Sequence, residues 1–264
     1  MTPLTEYADF HRTIVAFALT AVRIVAAMEV LPALSSSMVT GLARRAAALA
    51  FAALAVPMTL NQMPPYESLS IVVLAPVVIK EAIVGLLIGF FAAVPFWIAE
   101  NVGNFIDNQR GATMGEVYSP LSGAQVSTTG IFFTQIVSTI FFVSGAVLVF
   151  LGAIYWSWQM LPIFSPDLRF AAGTPNLMLG TLDSMIARTF VISAPIIILM
   201  FLATIGLGFV NRTAPQLNVF FLSMPIKSAL GIAMLAVYLP FILDMLMYDS
   251  PDAVLYPVRR LLGA

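Results

Sequence analysis

Few residues in this chain could do chemistry, and most of them stand in awkward places. Arg23, Glu29, Lys80, Glu81 and Lys227 lie inside long apolar stretches. An unpaired charge at the centre of a bilayer costs about 3 kcal/mol on insertion scales, so each must serve a purpose. Three readings fit the residue types: a buried ion pair that fixes helix register, a proton or ion path, or segments that do not sit in lipid at all. Arg23 and Glu29 are six apart, about 240° around a helix, and Lys80 and Glu81 are adjacent, so neither pair faces itself. Each charge therefore needs a partner on another helix, in another subunit or in a water-filled cavity. A second polar group lies in NVGNFIDNQRGATMGEVYSP, residues 101–120, where Asp107 and Arg110 stand three apart and can pair on a helix. Asp107 and Glu116 lack the partner pattern of a general acid and base. The single histidine, His11, is far away in sequence, and there is no cysteine to serve as nucleophile, disulfide or thiolate ligand. The expectation is a protein that is not an enzyme and holds no metal or cofactor.

The elements that must position these residues are apolar helices. Hydrophobic residues make up 60% of the 264 and charged residues 9%, against about 25% charged in a soluble domain. Water cannot solvate so uncharged a surface, so the chain reads as an all-α polytopic membrane protein. Six segments approach the roughly 20 apolar residues of a crossing: 13–34, 46–61, 69–99, 129–154, 186–210 and 217–247. Pro57, Pro76, Pro95, Pro195, Pro225 and Pro240 fall inside them and favour kinks, so bent hairpins are expected rather than an upright bundle. Net charge is −1, which excludes a basic nucleic-acid surface. The polar start MTPLTEYADFHR lacks the features of a signal peptide, so the first apolar segment is expected to be retained. No repeat or linker divides the chain, and residues 1–264 read as one domain. The positive-inside rule meets a conflict. Arg44 and Arg45 place the first loop in the cytoplasm, and six crossings then put Arg259 and Arg260 on the other side.

Two connections stand out. Glu100, Asn104, Asp107 and Gly111 share a helical face, so the third helix is expected to run on as a polar extension. Gly111 and Gly115 then favour a turn, Met114 adds a soft side chain, and 119–130, SPLSGAQVSTTG, reads as a flexible loop. Such a stretch serves as a plain connection or as a loosely packed gate. After the fifth segment comes NRTAPQLNVFFLSMPIKSALG, residues 211–231. Thr213 and Gln216 have capping-box spacing, and Pro215 suits a first helical turn. A well-capped helical hairpin explains Thr213, Pro215 and Gln216 but not Asn211, Arg212 and Asn218 so well, so the turn reads as that bare hairpin or as a docking surface.

The 211–231 block and GNFIDNQRGATMGEV, residues 103–117, together resemble the signatures of the SctT/FliR family. That family supplies the membrane subunit present once in type III secretion and flagellar export apparatus. FIDNQRGA is more similar to the secretion branch (SctT, YscT, SpaR, HrcT), and the resemblance covers essentially the whole chain. It implies a subunit of the bacterial inner membrane that joins R-type (FliP-like) and S-type (FliQ-like) subunits, five and four copies in the family, in a helical export gate. U-type and V-type export proteins and membrane lipid are further implied partners, and unfolded secreted proteins the substrates. The loop matching about 106–122, with Asp107, Gln109, Arg110, Gly111, Met114, Gly115 and Glu116, resembles the family's pore plug. The family's partly raised, bent hairpins would account for the topology conflict and give the stranded charges partners on neighbouring subunits. The rival reading is a secondary transporter or ion-coupled channel using Lys80 and Glu81, with Glu29 on the same path.

Overall fold

The computed structural model describes residues 3–35, 39–65, 69–111, 127–165, 173–214, 216, 218–247 and 257–261. Among the described residues the long α-helices are α1 Pro3–Val30, α2 Gly41–Gln62, α3 Ile71–Arg110, α4 Thr128–Val143, α5 Ala146–Met160, α6 Thr174–Thr213 and α7 Val219–Met247, and residues 257–261 are helical as well. The described residues contain no strand. Five of these helices are long and apolar enough to cross a membrane, or six crossings if α4 and α5 count as one bent span. The chain is a multi-pass membrane protein. Its parity bears on the charge conflict: five crossings return Arg259 and Arg260 to the side of Arg44 and Arg45, and six do not.

The helices differ from the sequence reading where local geometry overrides apolar content. The stretch 129–154 is two helices bent by 71°. The break falls at Gly145, whose φ of 77° is a left-handed conformation open to glycine at no steric cost. Proline does not cause it. Pro57, Pro195, Pro225 and Pro240 all lie within helices that continue past them. The polar extension of α3 is real: the helix has 40 residues, about 60 Å, or twice a bilayer's hydrocarbon core of about 30 Å. α6 likewise starts at Thr174 instead of 186. Thr213 does not cap the following helix. It ends α6, and its hydroxyl donates back to the Val210 carbonyl at 3.0 Å.

The chain forms two compact units. The first comprises residues 1–94, 141–179 and 251–264. Here α1 packs on α2 through an alanine stripe, Ala48, Ala52 and Ala55, continued by Thr59. This spacing places four small residues on one helical face. The Thr59 and Thr20 hydroxyls meet across it at 2.9 Å. On the other contact of α1, Gly85 and Gly89 of α3 lie so near the Arg23 and Ala27 carbonyls that an added Cβ would collide with them. The Tyr155 hydroxyl of α5 donates to the Phe51 carbonyl of α2 at 2.8 Å.

The second unit comprises residues 95–140 and 180–250. Ile192, Ile196 and Met200 of α6 are its most buried aliphatic side chains on that helix, and Phe105 meets Phe190 edge to face at 4.8 Å. Gly103 and Gly130 bring α3 and α4 into backbone contact.

The glycine contacts yield a direct comparison. Gly89→Val must displace backbone, and overpacking costs about 1–3 kcal/mol or more. Gly206→Ala, with open space around it, should be neutral or slightly stabilising. Thermal denaturation of the detergent-extracted protein distinguishes them, and equal melting temperatures would contradict the packing assignment.

Candidate functional site

Two polar constellations emerge from these apolar helices. The first is buried in the first unit. Arg23 on α1 is fully buried, and its guanidinium grips Glu81 of α3 with two parallel bonds, Nε to Oε2 at 2.8 Å and Nη2 to Oε1 at 2.7 Å. The rest of the fork is used as well. Nη1 donates to the Ser157 hydroxyl at 2.8 Å and Nη2 to the Leu161 carbonyl at 3.1 Å. The Trp158 indole donates to Glu81 at 3.3 Å, and its ring lies 5.4 Å from the Arg23 guanidinium carbon. Lys80 approaches Glu81 at 3.7 Å: adjacent residues diverge on a helix, but both side chains are long enough to meet. Its ammonium also donates to the carbonyls of Pro162 at 2.6 Å, Ile163 at 2.5 Å and Ser165 at 3.2 Å. Two cations and one anion leave a surplus positive charge. The carbonyls just after α5 face it, at the negative end of that helix's dipole.

The lattice thus joins α1, α3, α5 and the segment 161–165. Of the three options open from sequence, Arg23 and Glu81 find a partner on another helix. Glu29 pairs with Arg44 at 2.7 Å near the surface, its own side chain 60% exposed. Partners on neighbouring subunits are not needed for these four charges. Lys227 differs. It is half-buried on α7 and has no ion-pair partner among the described residues. Only 17% of the apolar stretch of α7 is buried.

The second constellation lies in the second unit at the base of the central loop. Asp107, at the end of α3, is fully buried. Its Oδ1 accepts from Arg110 Nε at 2.9 Å and from the Thr129 hydroxyl at 2.5 Å, and Arg110 Nη2 lies 2.9 Å away as the countercharge. Its Oδ2 accepts from the Ser127 hydroxyl at 2.7 Å and the Thr129 backbone N–H at 3.0 Å. Ser127 Oγ in turn accepts from the Gly130 N–H at 2.9 Å, an N-cap bond. One carboxylate thus caps α4 from another helix and joins the two ends of 112–126. By residue type 119–130 reads as a flexible loop, but α4 begins at Thr128 and Ser127 and Thr129 are buried. Ser-x-x-Gly before an apolar run was the available signal. Gly111 follows Arg110 with φ 77°, so the helix ends there in a left-handed turn. Gln109 is exposed. Met114, Gly115 and Glu116 lie outside the described residues, as does Pro215. Asn211, Arg212 and Asn218 are exposed around the α6–α7 turn. Among the described residues no acidic or histidine cluster could hold a metal ion.

The profile of the bacterial export proteins, family 1, matches residues 14–250. The chain belongs to this family. Its relatives carry names from secretion. It is 36% identical over 254 residues to Yop proteins translocation protein T of Yersinia pestis, covering 94% of this chain and 97% of that one. It is 38% identical to Secretion system apparatus protein SsaT of Salmonella typhimurium over 67% of this chain and 68% of the relative. It is 28% identical to Surface presentation of antigens protein SpaR of the same organism over 88% and 86%. The SctT/FliR resemblance of the two blocks is thereby a membership. Both blocks, 103–117 and 211–231, fall inside the matched region of this export family.

The buried lattice sets a stability order. Glu81→Ala leaves Arg23 and Lys80 without their anion and should cost about 3–5 kcal/mol. Glu29→Ala, at a largely exposed pair, should cost less than about 1 kcal/mol. The double variant Arg23→Met, Glu81→Met should be less destabilised than the sum of its single changes. Denaturation of the purified protein measures all five variants, the two single methionine changes included, and strict additivity would remove the coupling between Arg23 and Glu81.

Proposed function

We propose that the chain is a non-enzymatic subunit of a type III secretion export gate in the inner membrane of a Gram-negative bacterium. It completes a helical assembly with R-type and S-type membrane subunits, works beside U-type and V-type export proteins, and contributes the loop near 106–122 as a plug against leak. Unfolded secreted proteins pass by displacing that plug, and the energy comes from other components. The residues proposed for the plug and its base are Asp107, Gln109, Arg110, Gly111, Met114, Gly115 and Glu116. Asn211, Arg212, Pro215 and Asn218 are proposed for docking.

The observation that carries the reading is Lys227. A cation on an apolar helix that the chain barely covers is expensive in lipid and becomes acceptable beside a carboxylate of another subunit. The family's relatives, named for translocation and secretion, support the same direction. The ion-path alternative through Lys80 and Glu81 has less support, because both groups are held by fixed partners.

Co-expression with its R- and S-type neighbours tests the assembly. Lys227→Ala should lower the yield of the co-purified heteromer, while Glu29→Ala leaves it unchanged. Equal yields would assign Lys227 to the lipid interface instead. Deleting roughly residues 112–118, which lie outside the described residues, tests the plug. The complex should still assemble, and cells carrying it should become permeable to ions and small solutes. A deletion that assembles and stays as tight as wild type removes the plug from this reading.

A further inference from the structure

We propose that the oxygens around Lys80 form a socket for a monovalent cation, with the lysine ammonium as its built-in occupant. Segment 161–165 requires a positive charge among its carbonyls, and the Lys80 side chain is the tether that delivers it.

The oxygens outnumber what a lysine can use. Lys80 Nζ lies 2.6 Å from the Pro162 carbonyl, 2.5 Å from that of Ile163 and 3.2 Å from that of Ser165. The Ser165 hydroxyl is 3.4 Å away and Glu81 Oε1 3.7 Å. An ammonium carries three N–H groups, so five oxygens exceed its directed hydrogen bonds. A spherical charge has no such limit, and carbonyl oxygens that replace an ion's hydration shell hold potassium in channel filters. The Ser165 hydroxyl is turned for the same role. Its single hydrogen goes to the Pro162 carbonyl at 2.8 Å, so it presents only lone pairs to Lys80.

The local backbone explains why the socket is needed. α5 ends at Met160, and the chain leaves the helix among buried side chains, Leu161 and Ile163. Carbonyls released at a helix end need partners, and irregular backbone in apolar surroundings is tolerated only where the protein satisfies it. The Ser165 N–H reaches the Pro162 carbonyl at 3.2 Å, and the Leu161 carbonyl accepts from Arg23. The carbonyls of Pro162, Ile163 and Ser165 then converge on the one cation. Glu81 does not depend on that cation for its place. Both prongs of Arg23 and the Trp158 indole hold it, so the ammonium can be removed without releasing the carboxylate. The walls of the socket therefore outlast its occupant, and an emptied socket can take a free cation.

Chemical rescue of the full-length protein tests this. Wild type, Lys80→Ala and Lys80→Gln are purified in detergent and melted in choline chloride, whose cation is too large for the socket. The melts are repeated at equal ionic strength in potassium chloride and in n-propylammonium chloride. Lys80→Ala should melt several degrees below wild type in choline. Potassium or propylammonium should recover part of that loss, saturating with concentration as binding to the folded state requires. Wild type and Glu29→Ala should melt alike in all three salts. Lys80→Gln offers two N–H donors without a charge and should stay low in every salt. Lys80→Gln at wild-type stability would overturn the proposal, because the lysine would then act as a hydrogen-bond donor alone. So would a Lys80→Ala protein that neither cation stabilises. If Lys80→Ala gives no folded protein in choline, the readout becomes the yield of folded chain extracted in potassium or propylammonium, and no gain in either overturns the proposal equally.

Discussion

The bidentate pair between Arg23 and Glu81 is the contact on which the first unit depends. Two charges with no solvent exposure are tolerable only when nearly every donor and acceptor is satisfied. Meeting that condition draws in α1 through Arg23, α3 through Glu81 and Lys80, and the end of α5 through Ser157, Trp158 and the carbonyls of 161–165. The glycines at 85 and 89 are part of the same solution. They let α1 and α3 approach until their backbones touch, which brings the guanidinium and carboxylate to 2.7 Å. Apolar packing alone gives weak discrimination between helix registers in a greasy chain, because lipid tails are as apolar as the helices. A two-pronged salt bridge discriminates strongly.

The second unit handles polar groups by a different rule. Asp107 is satisfied mainly by neutral hydroxyl and backbone donors at a helix start, with Arg110 as its countercharge. The arrangement ties the end of α3 to the start of α4 rather than joining three helices. Lys227 is left without a countercharge among the described residues, on a helix with much apolar surface uncovered. Phe220, Phe221, Val237 and Phe241 of that helix are each more than half exposed. Large exposed apolar surface marks contact with lipid or protein, and in an export-family subunit both are expected neighbours. The chain thus uses its buried polar groups for internal order in two places.

Much of this was legible from composition and spacing. The apolar content fixed an all-helical membrane protein, because only helices satisfy backbone polar groups within single segments in lipid. The i,i+3 spacing of Asp107 and Arg110 announced their pair, and the extension of α3 followed from the polar face that includes Glu100, Asn104 and Asp107. The two blocks at 103–117 and 211–231 placed the chain in its family. The breaks were less legible. A proline announces itself in a sequence, yet the sharp bend lies at Gly145, and helices α2, α6 and α7 continue past their prolines. Thr213 matched a capping box and instead closed the preceding helix, because the same hydroxyl can serve either side of a turn and only the path of the chain decides which.

The sequence by itself determined that charges were stranded in apolar helices and that each needed a partner, since the cost of a lone charge in a low-dielectric medium does not depend on fold. Only the tertiary structure decided who the partners were. Arg23 and Glu81 are 58 residues apart, and Lys80 meets carbonyls more than 80 residues away. Backbone carbonyls carry no side-chain signature, so no pattern of residue types could have named them. The same holds for Asp107, whose decisive donors include the N–H of Thr129. A backbone group becomes a partner through position alone, and position is what folding supplies.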